Sequence, residues 1–453
     1  MMASHTTTLE QKFKELENAK ETPRQSRPKI QRVPEHIRNR EKFKDHYVPK
    51  LVSIGPIHHG KPNLKLGEKF KLVWAKQYIK NANLNTQNLH KKIADNILDL
   101  KGFFADDVLA LTSTKESLED FTSLDEKLSW MLFVDGCSLL HILESAASIQ
   151  PEALNIKVDQ LVVTMNDALL LENQLPYLVL KLLWKTEDET ELIYALKEYF
   201  ATPQNRTWRT RGDFVFDLNY KKEEEEEQDL PVHLLDLQRK IILTKSSSKT
   251  KGEKAVNKGE KAVNKNQETM TYRNIQDLRA GRIKLKSSET RRPTDIDFFD
   301  GWFVAKLILP EIVVDETTTA TFLNLIAYEM CPDFENDYEI CSFVAFMDSL
   351  IDNPEDVREL RSNRILHHCL CSDEEVANIF NLISQNLVDN TKIYLEVRNR
   401  IHKHCVNKYK TWIAQGINTY FNNPWAFIAF LAAFMVLTLT FVQTWFEIYP
   451  ANK

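Results

Sequence analysis

Several clusters in this sequence carry residue types and spacings that could do chemistry. The run Gly55-Pro-Ile-His-His-Gly60-Lys61-Pro62 imitates a phosphate-binding loop, in which GxxxxGK precedes Ser or Thr. Pro62 stands where the Mg²⁺-holding hydroxyl belongs, and Pro56 removes a backbone donor from the cradle. The run reads instead as a structural loop, with His58 and His59 hydrogen-bonded or solvated. The clusters His367-His368-Cys369-Leu370-Cys371 and His402-Lys403-His404-Cys405 hold soft metal ligands. Structural zinc wants four ligands in paired spacings, which neither cluster has. A shared site would require their two elements to meet. A Cys–His nucleophilic pair lacks an identifiable orienting acid.

Carboxylates raise a second set of candidates. Asp167, Glu172, Asn173 and Gln174 fall in NDALLLENQLPYLVL, and Asp135 falls in MLFVDGCSLL. Burying such groups demands partners. The simplest reading is a helix end before Pro176 with polar groups capping backbone, and a buried ion pair or cap at Asp135. An enzyme would need Asp135, His58, Asp167 and Glu172 to meet around one open cleft. GxSxG, HExxH, paired CxxC and EF-hand patterns do not occur. No residue is therefore assigned a catalytic, cofactor-binding or metal-binding role, and no cofactor is expected.

The elements that would position these residues are mostly helical. Arg32–Gly60 is broken by Pro34, Pro49 and Pro56 and reads as an extended segment packed across the head. Helical spacing follows over 65–80, with Phe70, Val73, Trp74, Gln77 and Tyr78 recurring, and over 89–104, 125–147 and 158–185, the last ending or kinking at Pro176. Further helices fit 189–200, 232–243, 319–330, 338–351, 355–360, 374–386 and 391–420. Between them, 283–286, 295–299, 302–309 and 312–314 are short and rich in β-branched and aromatic residues, which predicts a small antiparallel meander.

Composition agrees with a helical protein. Only 11 of 453 residues are glycine, far below the roughly 7% average, which disfavours many phosphate loops or tight hairpins. The net charge of −5 argues against nucleic acid as a partner. The six cysteines are too sparse for a disulfide scaffold. The first residues lack the apolar core of a secretory signal.

From Pro424 to Phe446 the chain carries no charge, and Trp425 and Trp445 lie near its two ends. A helix this long spans a hydrocarbon core of roughly 30 Å. Thr438, Thr440 and Thr444 cost little there if their hydroxyls bond back to the helix. A buried core helix is the alternative, though such helices seldom stay apolar all round. Six Lys/Arg and one acid, Glu396, lie between Lys392 and Lys410. The positive-inside bias then keeps the head cytosolic, and the basic run faces anionic lipid. The short tail after the span implies post-translational insertion.

The expected organisation is a mobile tail over 1–28, an N-terminal helical part over 29–220 and a charged insert over 221–270. A C-terminal part with the meander and basic helix covers 271–422, the span 424–446, and a short tail 447–453. The insert contains KKEEEEEQD (Lys221–Asp229) and two tandem KGEKAVN copies at Lys251–Asn257 and Lys258–Asn264, and reads as disordered.

The chain resembles one plant family, domain of unknown function 247, also called the UPF0481 proteins. YVPKLVSIGPIHHG (Tyr47–Gly60), MLFVDGCSLLHIL (Met131–Leu143), NDALLLENQLPYLVL (Asn166–Leu180) and HLLDL (His233–Leu237) carry the resemblance. So do LPEIVVDETTTATFLNLIAYE (Leu309–Glu329), FMDSLIDNPEDVREL (Phe346–Leu360), SDEEVANIFNLI (Ser372–Ile383) and the stretch Tyr420–Thr444. Ser138, and Ala280–Lys286, depart from the family pattern. The resemblance implies a plant origin, a mostly helical head and a C-terminal membrane helix. It carries over no catalytic residue, since the family has none established. Some relatives are implicated in grass self-incompatibility, which suggests recognition or signalling at a membrane.

The combined expectation is a mainly α head with a small β meander and one C-terminal transmembrane helix. It is a single-pass protein of the plasma membrane or an endomembrane that binds protein partners rather than catalysing a reaction. An enzyme with an unrecognised site in the head is the alternative.

Overall fold

The computed structural model describes residues 12–14, 16–18, 28–112, 121–147, 151–200, 230–243, 274–288, 292–301, 304–385, 387–406 and 424–448. Most of the expected tail over 1–28 lies outside these residues, as do most of the charged insert and Trp302.

The architecture is mainly α, built on two hydrophobic cores. The first gathers α1 (Lys65–Asn81), α2 (Thr86–Asp95), α3 (Leu124–Ala147), α4 (Val158–Asp167), α5 (Tyr177–Leu183) and α6 (Glu189–Phe200). Helix α3 is its axis and packs against α1, α2, α5 and α6. It begins where the Ser123 hydroxyl accepts from Glu126 N–H while the Glu126 carboxylate reaches back to Thr122 N–H, a reciprocal cap. Buried aromatics tie the helices through their polar atoms. Trp74 Nε1 donates to Leu154 O at 2.8 Å, and Tyr78 OH to Leu183 O at 2.9 Å.

α7 (Leu234–Leu243) joins the halves: Leu234 and Leu237 enter the first core, Leu235 and Ile242 the second. The second core is built from five short strands and the helices α8 (Thr318–Glu329), α9 (Glu339–Asp348), α10 (Pro354–Ser362), α11 (Asp373–Ile383) and α12 (Leu395–Val406).

The strands differ from the expected antiparallel meander. β1 (Ile283–Ser287) and β3 (Ala305–Leu309) pair in parallel, and β2 (Asp297–Phe299) pairs antiparallel with β3 on its other side. The chain turns through Pro293–Asp295 to place β2 at the far edge, and β3 then inserts between β1 and β2. β4 (Ile312–Val314) leaves this sheet after Pro310 and pairs in parallel with β5 (Leu366–His368). Helices α8 to α10 supply the crossover that parallel pairing requires.

Three helical expectations also shift. The expected helix over 89–104 divides at Asn96 into Thr86–Asp95 and Ile97–Lys101. The stretch 158–185 breaks at Asp167, well before Pro176, leaving an irregular loop over 168–176. Helix α1 buries Gly67, Lys71, Trp74, Ala75 and Tyr78, while Val73 is exposed. Its buried stripe is thus rotated from the expected one, because the residue at its centre is a lysine.

The segment before α1 is a strap, turned rather than extended, with a helical turn at Glu35–Arg38 and a 3-10 turn at Lys44–His46. Ile30 packs in the first core, Val33, Ile37, Phe43 and Tyr47 in the second, and Val52, Ile54 and Ile57 in the first again. It thereby stitches the two halves together. α13 (Pro424–Ile448) enters neither core; its window Ile428–Trp445 is long and apolar enough to cross a membrane and is wholly exposed. Its Thr438, Thr440 and Thr444 hydroxyls bond back to the carbonyls four residues earlier.

Candidate functional site

The sequence-derived candidates do converge, beneath the strap. The loop over 168–176 presents polar side chains to chain segments that lie far away in sequence. Asp167 at the end of α4 is the first receiver. Its Oδ1 accepts from Lys50 N–H at 2.9 Å, and its Oδ2 from Leu51 and Val52 N–H at 2.7 and 2.9 Å. Asn173 accepts from Ile54 N–H at 2.7 Å and donates to Val52 O and Asp167 O. Residues 50–54 lie in no strand of the described sheets, and these side chains satisfy their backbone donors instead.

Two glycines let the strap come this close. At Gly55 φ is +75°, and a Cβ would lie 2.5 Å from Gln174 O. At Gly67 on α1 a Cβ would overlap the Leu51 carbonyl oxygen. The first needs both the left-handed conformation and the space; the second needs only the space.

Asp135 sits in the middle of α3 and is 1% exposed. Its Oδ2 accepts from Gly55 N–H at 2.8 Å, and its Oδ1 meets Lys71 Nζ at 2.6 Å. Lys71 is equally buried and also reaches Glu68 at 3.0 Å and Ser53 Oγ at 3.3 Å. Burial works against the ammonium, but Asp135 and then Glu68 outweigh it and hold Lys71 above its usual range.

Glu172 closes the other end. Its Oε1 accepts from Val33 N–H at 3.0 Å and lies 3.5 Å from Arg38 Nη1. His58 Nε2 faces Glu172 Oε2 at 3.1 Å, off the hydrogen-bond line, and neither atom has another hydrogen-bond partner. Lys61 Nζ lies 2.7 Å from His58 Nδ1, so an ammonium there obliges Nδ1 to accept and puts the imidazole proton on Nε2. Burial pushes the His58 pKa down, which keeps the ring neutral. Burial raises the Glu172 carboxyl, yet His58, Arg38 and Val33 N–H outweigh it and hold it below the usual range. Asp167 differs: burial lifts it to about 6, only partly offset by the three N–H donors.

Gln174 and Asn324 extend the same logic to the second half. Gln174 accepts from Leu235 N–H and donates to Ala168 O and Leu170 O. Asn324 on α8 accepts from Leu171 N–H at 2.8 Å and donates to His46 O at 2.9 Å. Nearby, Glu329 accepts from Arg239 Nε and from Ile340 and Cys341 N–H, all within 3.0 Å.

This seam is sealed. His58, Asp135, Asp167, Glu172, Asn173 and Gln174 are each at most 2% exposed. The four residues that an enzyme would need around an open cleft lie instead under the strap, each hydrogen-bonded or ion-paired to other protein groups and closed off from solvent. Such an arrangement orders backbone; it gives a substrate no access. Sequence reasoning missed Lys71, Asn324 and Glu329. The signal for Lys71 was available: Gly67, Lys71, Trp74 and Tyr78 follow the helical repeat.

The His/Cys clusters are spoken for locally. His368 Nε2 meets Asp373 Oδ1 at 2.9 Å, and His367 Nε2 meets Glu311 Oε1 at 3.2 Å. His404 bonds Asp300 at 2.6 Å and Gly281 O at 3.1 Å. Among the described residues no three His, Cys, Asp or Glu side chains form a metal-holding group. The GPIHHGK loop gives its Gly55 N–H and His58 to the seam.

The basic run before α13 is also partly committed. Arg398 lies 5.6 Å over the Phe346 ring, and Arg400 pairs with Asp297 at 2.9 Å. Lys392 and Lys403 remain at the surface with Leu395, Glu396 and Asn399, around an open depression of about 370 Å³. Lys408 and Lys410 lie outside the described residues.

A family model described as a plant protein of unknown function, DUF247, matches residues 30–439. A UPF0481 protein of Arabidopsis thaliana is 26% identical over 424 residues, covering 88% of this chain and 82% of the relative. A putative UPF0481 protein of the same plant is 22% identical over 474 residues, covering 88% and 86%. No solved structure matches.

Proposed function

The chain belongs to the plant family DUF247, whose function is unknown, and we propose that it is a single-pass membrane protein whose head recognises or scaffolds other proteins without catalysis. The observation that carries this reading is the contrast between α13, apolar and wholly outside both cores, and the seam, whose titratable groups are all turned to structural use. A helix with the window Ile428–Trp445 exposed is stable in lipid and a liability in water. The bilayer is then the first partner. The Lys/Arg bias from Lys392 to Lys410 favours a cytosolic head on the plasma membrane or an endomembrane.

Alkaline carbonate extraction tests the anchor: full-length protein stays in the membrane pellet, and its release into the supernatant would overturn the reading. Protease treatment of intact vesicles tests the side: the head is digested if cytosolic, and protection would reverse the orientation. Proximity labelling with and without residues 221–270 tests recognition by the insert; identical partner sets would assign recognition to the helical surfaces.

A further inference from the structure

Helix α1 has two opposite faces. Gly67, Lys71, Trp74, Ala75 and Tyr78 point inward. On the outer face Lys65, Lys69, Lys76 and Lys80 are exposed, and none forms an ion pair among the described residues. At 3.6 residues per turn these four fall within about 60° of arc. Leu72 borders them on one side and Val73 and Leu66 on the other, exposed at 56%, 56% and 49%. The one acid of the helix, Glu68, is turned toward Lys71 and Ser53. Four free ammonium groups and three aliphatic side chains thus share one continuous face without a carboxylate.

We propose that this outer face of α1 is a docking surface for an anionic lipid bilayer. The chemistry is that of an interfacial contact: lysine ammonium groups meet phosphate and carboxylate head groups, and the aliphatic residues beside them enter the head-group region. Anionic lipid is favoured over an acidic polypeptide by continuity with the proposed anchor, since α13 would hold α1 near a bilayer at high effective concentration. Residues 407–423 separate α12 from α13. The inference rests in that respect on the membrane reading above. It adds that the head lies down on the membrane through its N-terminal half, on a surface distinct from the basic helix α12.

The test is lysine acylation read by mass spectrometry on the full chain. It uses phosphatidylcholine vesicles with and without phosphatidylserine, and Lys306, exposed on β3, is the internal control. The expected result is a roughly fivefold slower acylation of Lys65, Lys69, Lys76 and Lys80 on anionic vesicles, lost on raising salt, with Lys306 unchanged. Equal rates on the two vesicles overturn the proposal. Slowing by soluble polyglutamate but not by phosphatidylserine also overturns it, in favour of an acidic protein partner. Flotation separates this outcome from failure of the anchor. A chain that floats with neutral vesicles has its anchor whatever the lysine rates show. One that floats only with anionic vesicles, its α1 lysines slowed, lacks the anchor and keeps the docking face.

Discussion

Lys71 and Lys76 lie on the same helix and face opposite ways, one charge taken up inside the head and the other left at its surface. Lys71 is buried, touches two carboxylates and contributes to holding the strap against α1 and α3. Lys76 is exposed with no ion pair among the described residues, as are Lys65, Lys69 and Lys80. Charges inside the head are thus consumed by partners, whereas those on the outer face of α1 remain available. A similar division appears on α12, where Arg398 and Arg400 are drawn inward and Lys392 and Lys403 are left at the surface. Net charge along a helix therefore overstates what it can offer a partner.

The largest effect is expected at the inner face. Lys71→Met removes the partner of a buried carboxylate and should lower unfolding free energy by about 3–5 kcal/mol, measured by denaturant titration. Asp167→Asn comes next. It sets an amide N–H against a backbone donor and should cost about 1–3 kcal/mol, with faster hydrogen exchange at Lys50–Val52. A loss under about 0.5 kcal/mol with unchanged exchange would mean the strap does not depend on this carboxylate.

The pH dependence sharpens the same point. Asp167 has a folded pKa of about 6 against roughly 3.9 unfolded. The folded state binds the proton more tightly, so this group's contribution is fully present below the unfolded value and is lost as pH rises through about 6. Wild type should gain stability relative to Asp167→Asn as pH falls from 7 to 4, by roughly 2 kcal/mol. A flat difference would mean that the three N–H donors fully offset the desolvation of this carboxyl. The smallest effect belongs to the outer face. Lys76→Gln should change stability by less than about 0.5 kcal/mol, because nothing in the head depends on it.

These contrasts also explain what the sequence disclosed. The apolar length of α13, the helix around Asp135 and the run of short strands follow from local pattern, and each appears near its expected bounds. The polar character of Asp167, Glu172 and Asn173 was legible, but the local pattern reads them as caps of a helix end before Pro176, whereas they receive the backbone of the distant strap. Their partners were not legible, because Val33, Leu51 and Ile54 lie more than 110 residues away and have no local signal. The break at Asp167 was hidden for the same reason: its carboxylate is turned to the strap. Strand order was hidden because parallel pairing of β1 with β3 depends on where β2 docks, and short strands carry no orientation signal.

The central claim is that the buried charges of the head are structural staples. A double-mutant cycle on Lys71→Met and Asp135→Leu, by denaturant titration of the full chain in detergent micelles, tests it most directly. The account predicts that each single change destabilises by about 3–5 kcal/mol, and that the double mutant loses less than the sum by about 2–3 kcal/mol. A functional site retained at the expense of stability would behave in the opposite way, with the single variants as stable as the wild type or more so. That result would contradict the account, return Asp135 to the catalytic candidates and add Lys71 to them.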